Sequence, residues 1–153
     1  MTFLGAMDRF LEHCQTNKKM SPHTLRAYQN DLSDWIRAMN LKNLSQALEP
    51  AQIRHYLSGL YDSHERSSIA RRLSAIRSFL RYLRSHGLIQ RDVGALVPSP
   101  RTKRALPRFL KIEQTLELLR TPDDSTFLGK RDKALFELMY ACGLRVSEVV
   151  AIN

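Results

Sequence analysis

Arg145 and Glu148 are the residues of this sequence whose types and spacing most directly suggest chemistry. They lie in "GLRVSE", where Gly143 ends one apolar helix-like run and another begins. A guanidinium among apolar residues needs an anionic partner, and Glu148 follows three residues later. Two interpretations stay open: a local ion pair that fixes a helix start, or a carboxylate that orients the guanidinium toward a phosphate. The apolar neighbours predicted to be buried are Leu144, Val146, Val149 and Val150.

A second set of candidate residues lies in the segment "SSIARRLSAIRSFLRYLRSHG". Apolar residues recur there at three- and four-residue spacing, which predicts an amphipathic helix ended by Gly87. The predicted core stripe is Ile69, Leu73, Ile76, Leu80 and Leu83. The rest of the helix surface holds arginine and serine and no acidic residue. Because guanidinium and hydroxyl groups are usual donors to phosphate oxygens, this surface is a candidate nucleic-acid interface.

The charge of the chain is concentrated around that segment. The 153 residues include 24 Lys and Arg against 15 Asp and Glu, a net charge of +9. Ten of the basic residues but only one acid, Asp92, fall in residues 66–104. Localised basic charge is typical of a polyanion-binding surface, although a solvated basic face is the alternative. The candidate nucleic-acid contacts are Arg26, Ser67, Arg71, Arg72, Ser74, Arg77, Arg81, Lys103 and Arg104.

Composition argues against several other classes of protein. The two cysteines, Cys14 and Cys142, have no metal-ligand or disulfide spacing, and both fall at apolar helical positions that predict buried thiols. The histidines lack ligand spacing, so neither a metal nor another cofactor is expected. No apolar run approaches the ~20 residues of a membrane span, and the N-terminus is unlike a signal peptide. A cytoplasmic protein is predicted.

Helical periodicity dominates the whole chain and predicts an all-α fold class. Four helices fill residues 1–97, the second starting at Ser21 as N-cap with Pro22 at its first position. The prolines of residues 98–107 predict a basic linker. Two further helices and the start of a third fill residues 108–153. On the first of these helices Ile112, Leu116 and Leu119 are predicted to share one side, and on the second Ala134, Leu135, Leu138, Met139 and Cys142 are predicted to face inward. Taken alone, this segment is expected to expose an apolar face.

The order of these features resembles the tyrosine recombinases of the phage integrase family. The segments that carry the resemblance are "SPHTLRAYQNDL", "RRLSAIRSFLRYL", "LPRFL" and, most specifically, "RDKALFELMYACGLRVSEVV". Together they cover nearly all of the chain. The pattern is closest to the Xer type of chromosome-dimer recombinase, and within it to the XerC branch more than the XerD branch.

The resemblance implies a fold, an activity and a partner. Residues 1–97 would be a four-helix, SAM-like core-binding domain, and residues 108–153 would begin a mixed α/β catalytic domain. Such enzymes clamp double-stranded DNA at a recombination site and exchange strands through a 3′-phosphotyrosyl link, without metal or ATP. Arg145 matches the first catalytic arginine of the family, and Glu148 matches the acidic residue that supports it. A second Xer recombinase in a tetramer and a DNA translocase are the other implied partners.

The sequence departs from the family pattern in one respect. The family's remaining catalytic residues, including the nucleophilic tyrosine, lie downstream of the first arginine. The tyrosines here all precede Arg145, and none matches the nucleophile: Tyr28, Tyr56, Tyr61, Tyr82 and Tyr140. The expectation is therefore an N-terminal fragment that binds DNA without cleaving it. The alternative is a non-enzymatic helical DNA-binding module or a competitor for recombination sites; a helical RNA-binding protein has no specific support.

Overall fold

The computed structural model of the chain describes residues 1–44, 48–101 and 109–152. Its contacts divide the chain into two compact units, residues 1–104 and 105–153. The division lies within the predicted linker, but the domain limits 1–97, 98–107 and 108–153 stay predictions.

The described residues of the first unit form four α-helices and one short 3-10 helix. The α-helices are α1 (Phe3–Thr16), α2 (Pro22–Ala38), α3 (Pro50–Ser58) and α4 (Arg66–Ser85), and the 3-10 helix is Val93–Leu96. The predicted start of α2 is confirmed, since the Ser21 hydroxyl accepts a hydrogen bond from the Thr24 N–H at 3.2 Å and Pro22 is the first helical residue.

The core of this unit forms where α1, α2 and α4 pack together, with the 3-10 helix against α3 and α4. Trp35 and Phe3 are fully buried and meet edge to face, with ring centroids 6.2 Å apart. Phe10 of α1 packs against Phe79 of α4, with ring centroids 5.4 Å apart. Aromatic contacts of this kind fix the relative placement of the three longer helices.

Helix α4 presents one face to this core. The predicted stripe is confirmed, because all five of its residues are essentially fully buried: Ile69, Leu73, Ile76, Leu80 and Leu83. The predicted stop is also confirmed, since Gly87 follows the helix with φ of +66°. Glycine adopts this left-handed conformation without the steric cost that a Cβ brings.

The second unit contains the helices α5 (Ile112–Arg120), α6 (Phe127–Cys142) and α7 (Val146–Val150). Gly143 ends α6 with φ of +63°, which confirms the predicted stop. The expectation that this segment exposes an apolar face is confirmed, but the inward placement predicted along α6 is wrong at several positions. Ile112 is 72 % exposed and Cys142 is exposed, whereas Cys14 of the first unit is buried as predicted.

The reason for the difference is the small size of the unit. Helix α5 has no buried residue, and in α6 only Gly129 is buried. Three short helices cannot cover one another's apolar faces. The other residues of the two predicted apolar faces are therefore half-buried or exposed: Leu116, Leu119, Ala134, Leu135, Leu138 and Met139.

The predicted all-α fold class is confirmed for the residues that the structure describes, which hold no strand beyond a single bridge between Thr2 and Asn43. None of the described helices is long and apolar enough to cross a membrane.

Candidate nucleic-acid interface and the Arg145–Glu148 pair

The solvent side of α4 carries a row of arginine and serine side chains. Ser67, Arg71, Ser74 and Arg81 are exposed, and their three-, four- and seven-residue spacing aligns them along the helix. We call these four residues the Arg/Ser stripe. No acidic residue occurs anywhere in α4. The stripe therefore offers hydroxyl and guanidinium donors without a carboxylate of the same helix to repel a phosphate.

Arg72 lies beside the stripe but turns into the protein. Its side chain is only 12 % exposed. One Nη donates to Asp34 Oδ2 and to the Tyr56 hydroxyl, both at 3.1 Å, and the other lies 3.3 Å from His64 Nε2. This placement argues for a structural role of Arg72 and against a direct phosphate contact.

Arg77 is also occupied by internal contacts. Its Nε donates to the Gly94 carbonyl at 3.1 Å, one Nη donates to Ser99 Oγ at 2.8 Å, and the other donates to the Val97 carbonyl. All three nitrogens thus hold the chain that follows α4. As for Arg72, this geometry argues against a direct contact with DNA.

Arg71 differs from both of these arginines. It pairs through Nη1 with Oδ2 of Asp31 on α2, but its side chain is 46 % exposed while that of Asp31 is 2 % exposed. Burial raises the pKa of the Asp31 carboxyl, and the charges of Arg71 and Arg72 oppose that shift.

The remaining predicted DNA contacts are not residues of α4. Arg26 is exposed on α2. Lys103 and Arg104 lie outside the residues that the structure describes. All three stay predictions.

In the second unit, Arg145 is the N-cap residue of α7. Glu148 contacts it twice: Oε2 accepts the Arg145 backbone N–H at 2.7 Å, and Oε1 accepts from Nη1 at 3.2 Å. The buried collar predicted around Arg145 is wrong, because the Arg145 side chain is 81 % exposed, Val146 and Val150 are exposed, and Leu144 is half-buried. Of the four apolar neighbours of Arg145 that were predicted to be buried, only Val149 is buried. Glu148 thus fixes the helix start and orients a guanidinium that still faces solvent.

Asp31, the buried partner of Arg71, was not predicted from the sequence. A signal was present, since Asp31 lies three residues after Tyr28 and four before Trp35, on the apolar side of α2. A carboxylate in that position needs a cationic partner. Nothing in the sequence shows that the partner is Arg71, forty residues later. Among the described residues, no cluster of His, Cys, Asp and Glu is arranged to hold a metal ion.

The family comparison decides what kind of helical unit this is. The family described as "Phage integrase, N-terminal SAM-like domain" matches residues 7–87, more than half of the chain and nearly all of α1 to α4. The chain belongs to the phage integrase family. The resemblance inferred from the sequence is therefore confirmed, and α4 with its stripe is a helix of the family's SAM-like domain.

Known relatives extend the match beyond that domain. The chain is 39 % identical to tyrosine recombinase XerC of Thermodesulfovibrio yellowstonii over 145 residues, which are 94 % of this chain and 48 % of that protein. It is 39 % identical to tyrosine recombinase XerC of Myxococcus xanthus, covering 100 % of this chain and 52 % of that protein. It is 35 % identical to tyrosine recombinase XerC of Pseudomonas fluorescens, covering 96 % of this chain and 50 % of that protein. The chain spans about half the length of these relatives.

Proposed function

We propose that this chain is the DNA-binding portion of a site-specific recombinase of the Xer type. Such an enzyme would resolve chromosome or plasmid dimers by strand exchange at a recombination site, in the cytoplasm. The observation that carries the proposal is the Arg/Ser stripe, because it places exposed cationic and hydroxyl donors on a helix that has no acidic residue. The XerC names of the relatives support the choice of enzyme class.

The first unit would supply the contact with duplex DNA. An α-helix or its side chains can follow a groove while arginines neutralise the flanking phosphates. Arg71 and Arg81 would be the principal phosphate contacts, with Ser67 and Ser74 as neutral donors beside them. Arg26, Lys103 and Arg104 would add contacts outside α4. Arg72 and Arg77 would hold the unit together instead.

The second unit would supply the first element of catalysis. Arg145 would stabilise the negative charge that builds up on the phosphate oxygens during strand transfer, and Glu148 would preorganise it. The geometry supports this role, since one carboxylate holds both the backbone and the guanidinium of Arg145. In an active recombinase, loss of one such donor typically costs about 10²–10³ in rate.

Within these 153 residues we propose binding without cleavage, since none of the tyrosines matches the nucleophile of the family. A second recombinase in a tetramer and a DNA translocase are the partners proposed for the whole enzyme. No metal or cofactor is part of the proposal.

Binding and cleavage can be tested together on the purified chain. A fluorescently labelled duplex should bind with an affinity that falls as salt rises, because binding releases counterions. A nicked duplex incubated with the protein should yield no adduct that survives denaturing electrophoresis. An affinity independent of salt would contradict the DNA interface, and a covalent adduct would contradict the absence of a nucleophile.

The alternative is a non-enzymatic DNA-binding module that occupies recombination sites. The observation in its favour is that the stripe and its whole supporting core lie in the first unit. The coding DNA after codon 153 distinguishes the two functions. An in-frame His-x-x-Arg and a later tyrosine would support the enzyme, and unrelated sequence would support the module.

A further inference from the structure

Asp31 is the only buried charged residue among those that the structure describes. It lies on α2 where that helix faces α4, with Arg71 on one carboxylate oxygen and Arg72 Nε 3.8 Å from the other. A buried carboxylate is costly unless cations compensate it. Well-packed hydrophobic residues often replace a buried ion pair without loss of stability, so packing alone does not account for the charge.

The two arginines at this carboxylate have different surroundings. Arg72 is closed in by Asp34, Tyr56 and His64. Arg71 is half exposed, and Nη1 to Asp31 is the contact that its guanidinium makes among the described residues. Its other N–H donors stay available at the stripe. The buried Asp31 carboxylate therefore holds the exposed Arg71 guanidinium in one position.

An open cleft of about 620 Å³ lies beside this pair, between α2 and α4. Arg71 and Arg72 line it from α4, and α2 contributes the polar side chains Gln29, Asn30, Ser33 and Arg37. The carboxylates of Asp31 and Asp34 also line the cleft, and each is paired with one of the two α4 arginines. Amide, hydroxyl and guanidinium groups are the donors that phosphate oxygens accept from. The cleft has room for a phosphate of a DNA backbone to approach Arg71.

We propose that Asp31 is a positioning residue for DNA binding, which holds the Arg71 guanidinium so that its free donors meet a backbone phosphate at the α2–α4 cleft. The proposal rests on the DNA-binding function proposed above. A freely rotating arginine loses side-chain entropy when it is immobilised on a phosphate, and Asp31 removes much of that loss in advance.

The proposal makes a prediction opposite to simple electrostatics. Asp31→Asn removes a negative charge, which by charge alone should strengthen binding to DNA. We expect the affinity for duplex DNA to fall instead, by about three- to tenfold, because the Arg71 side chain must then be ordered when it binds. The matched control is Asp34→Asn, which removes the same charge from a partner of the inward-facing Arg72. That variant should bind a labelled duplex as tightly as the parent chain or more tightly.

A double-mutant cycle separates positioning from folding. In an Arg71→Ala background, Asp31→Asn should cause no further loss of affinity, although it should still lower the melting temperature. If the loss is the same in both backgrounds, or if Asp31→Asn binds more tightly, the positioning role is wrong. Asp31→Glu is the second variant should the asparagine variant not fold. It keeps the charge but displaces the carboxylate by one methylene, and unchanged affinity would overturn the proposal.

The same cycle distinguishes this inference from the proposed function. If Arg71→Ala weakens duplex binding and Asp31→Asn does not, only the positioning role fails. If Arg71→Ala leaves both the affinity and its salt dependence unchanged, the assignment of the stripe to DNA fails as well, and the positioning role with it.

Discussion

Arginines that look alike in the sequence of α4 have different surroundings in the folded unit. Arg71 and Arg81 reach solvent, whereas Arg72 and Arg77 are directed to partners within the unit. Some arginines of one helix can therefore contact DNA, whereas others bind neighbouring segments of the same unit. Variants of single arginines can separate the two.

Replacement of Arg81 and of Arg77 by alanine should give opposite results. Arg81→Ala should reduce the magnitude of the slope of log affinity against log salt by about 1, with little change in stability. Arg77→Ala should leave that slope unchanged and lower the free energy of unfolding by about 1–3 kcal/mol, because charge-assisted hydrogen bonds to the 94–99 segment are lost. Titration with a labelled duplex and urea unfolding measure the two effects. Equal changes in slope would contradict this division.

The two thiols should also differ in reactivity. Burial raises the pKa of the Cys14 thiol, so that less of it is thiolate at a given pH, and its side chain is inaccessible. Cys142 is exposed. Iodoacetamide at mildly alkaline pH should therefore modify Cys142 quickly and Cys14 only after denaturation, as read by mass spectrometry. A Cys142→Ser chain that still reacts quickly when folded would contradict the burial of Cys14.

At the scale of the elements, helix ends and apolar stripes could be predicted from the sequence. Ser21, Gly87 and Gly143 act as predicted because capping depends on residues close in the chain. The contacts of Arg77 could not be predicted in this way. They depend on the 3-10 helix packing back onto α4, which is a tertiary event.

The glycine that follows α4 provides a test of this local control. Gly87→Ala should lower the free energy of unfolding by about 1 kcal/mol, because φ of +66° disfavours a residue with a Cβ. Gly59 ends α3 with φ of −66°, and a Cβ there would meet the backbone oxygens of Tyr56 and His55 at ordinary van der Waals distances of 3.6 and 3.9 Å. Gly59→Ala should therefore be neutral or slightly stabilising. Urea midpoints of the two variants give the comparison. Equal destabilisation would show that backbone conformation is not the cause.

At the scale of the whole molecule, the two units differ in how well they cover their apolar residues. The first unit encloses a continuous core from Phe3 to Val97. In the second, Phe109, Phe127 and Val150 are among several large apolar residues that stay exposed. Periodicity predicted which residues of the second unit lie on the apolar face of a helix. It could not predict whether they are buried, because burial depends on what covers that face.

A chain shortened to residues 1–104 should therefore retain the main properties of the first unit. We expect its thermal midpoint to match that of the full chain within a few degrees, because the enclosed core is intact. We also expect it to bind duplex DNA, since the Arg/Ser stripe lies within it. Circular dichroism and fluorescence anisotropy provide the measurements. Loss of cooperative unfolding would show that the second unit is needed for the fold of the first.

The central claim is that Arg71 and Arg81 of α4 contact DNA phosphates. The direct test is the salt dependence of duplex binding by the Arg71→Ala/Arg81→Ala chain. Its matched control is Arg9→Ala/Arg54→Ala, which removes the same charge from exposed positions on α1 and α3. We predict that the stripe variant loses about 2 from the magnitude of the slope of log affinity against log salt and that the control loses much less. Equal slopes for the two variants would contradict the claim.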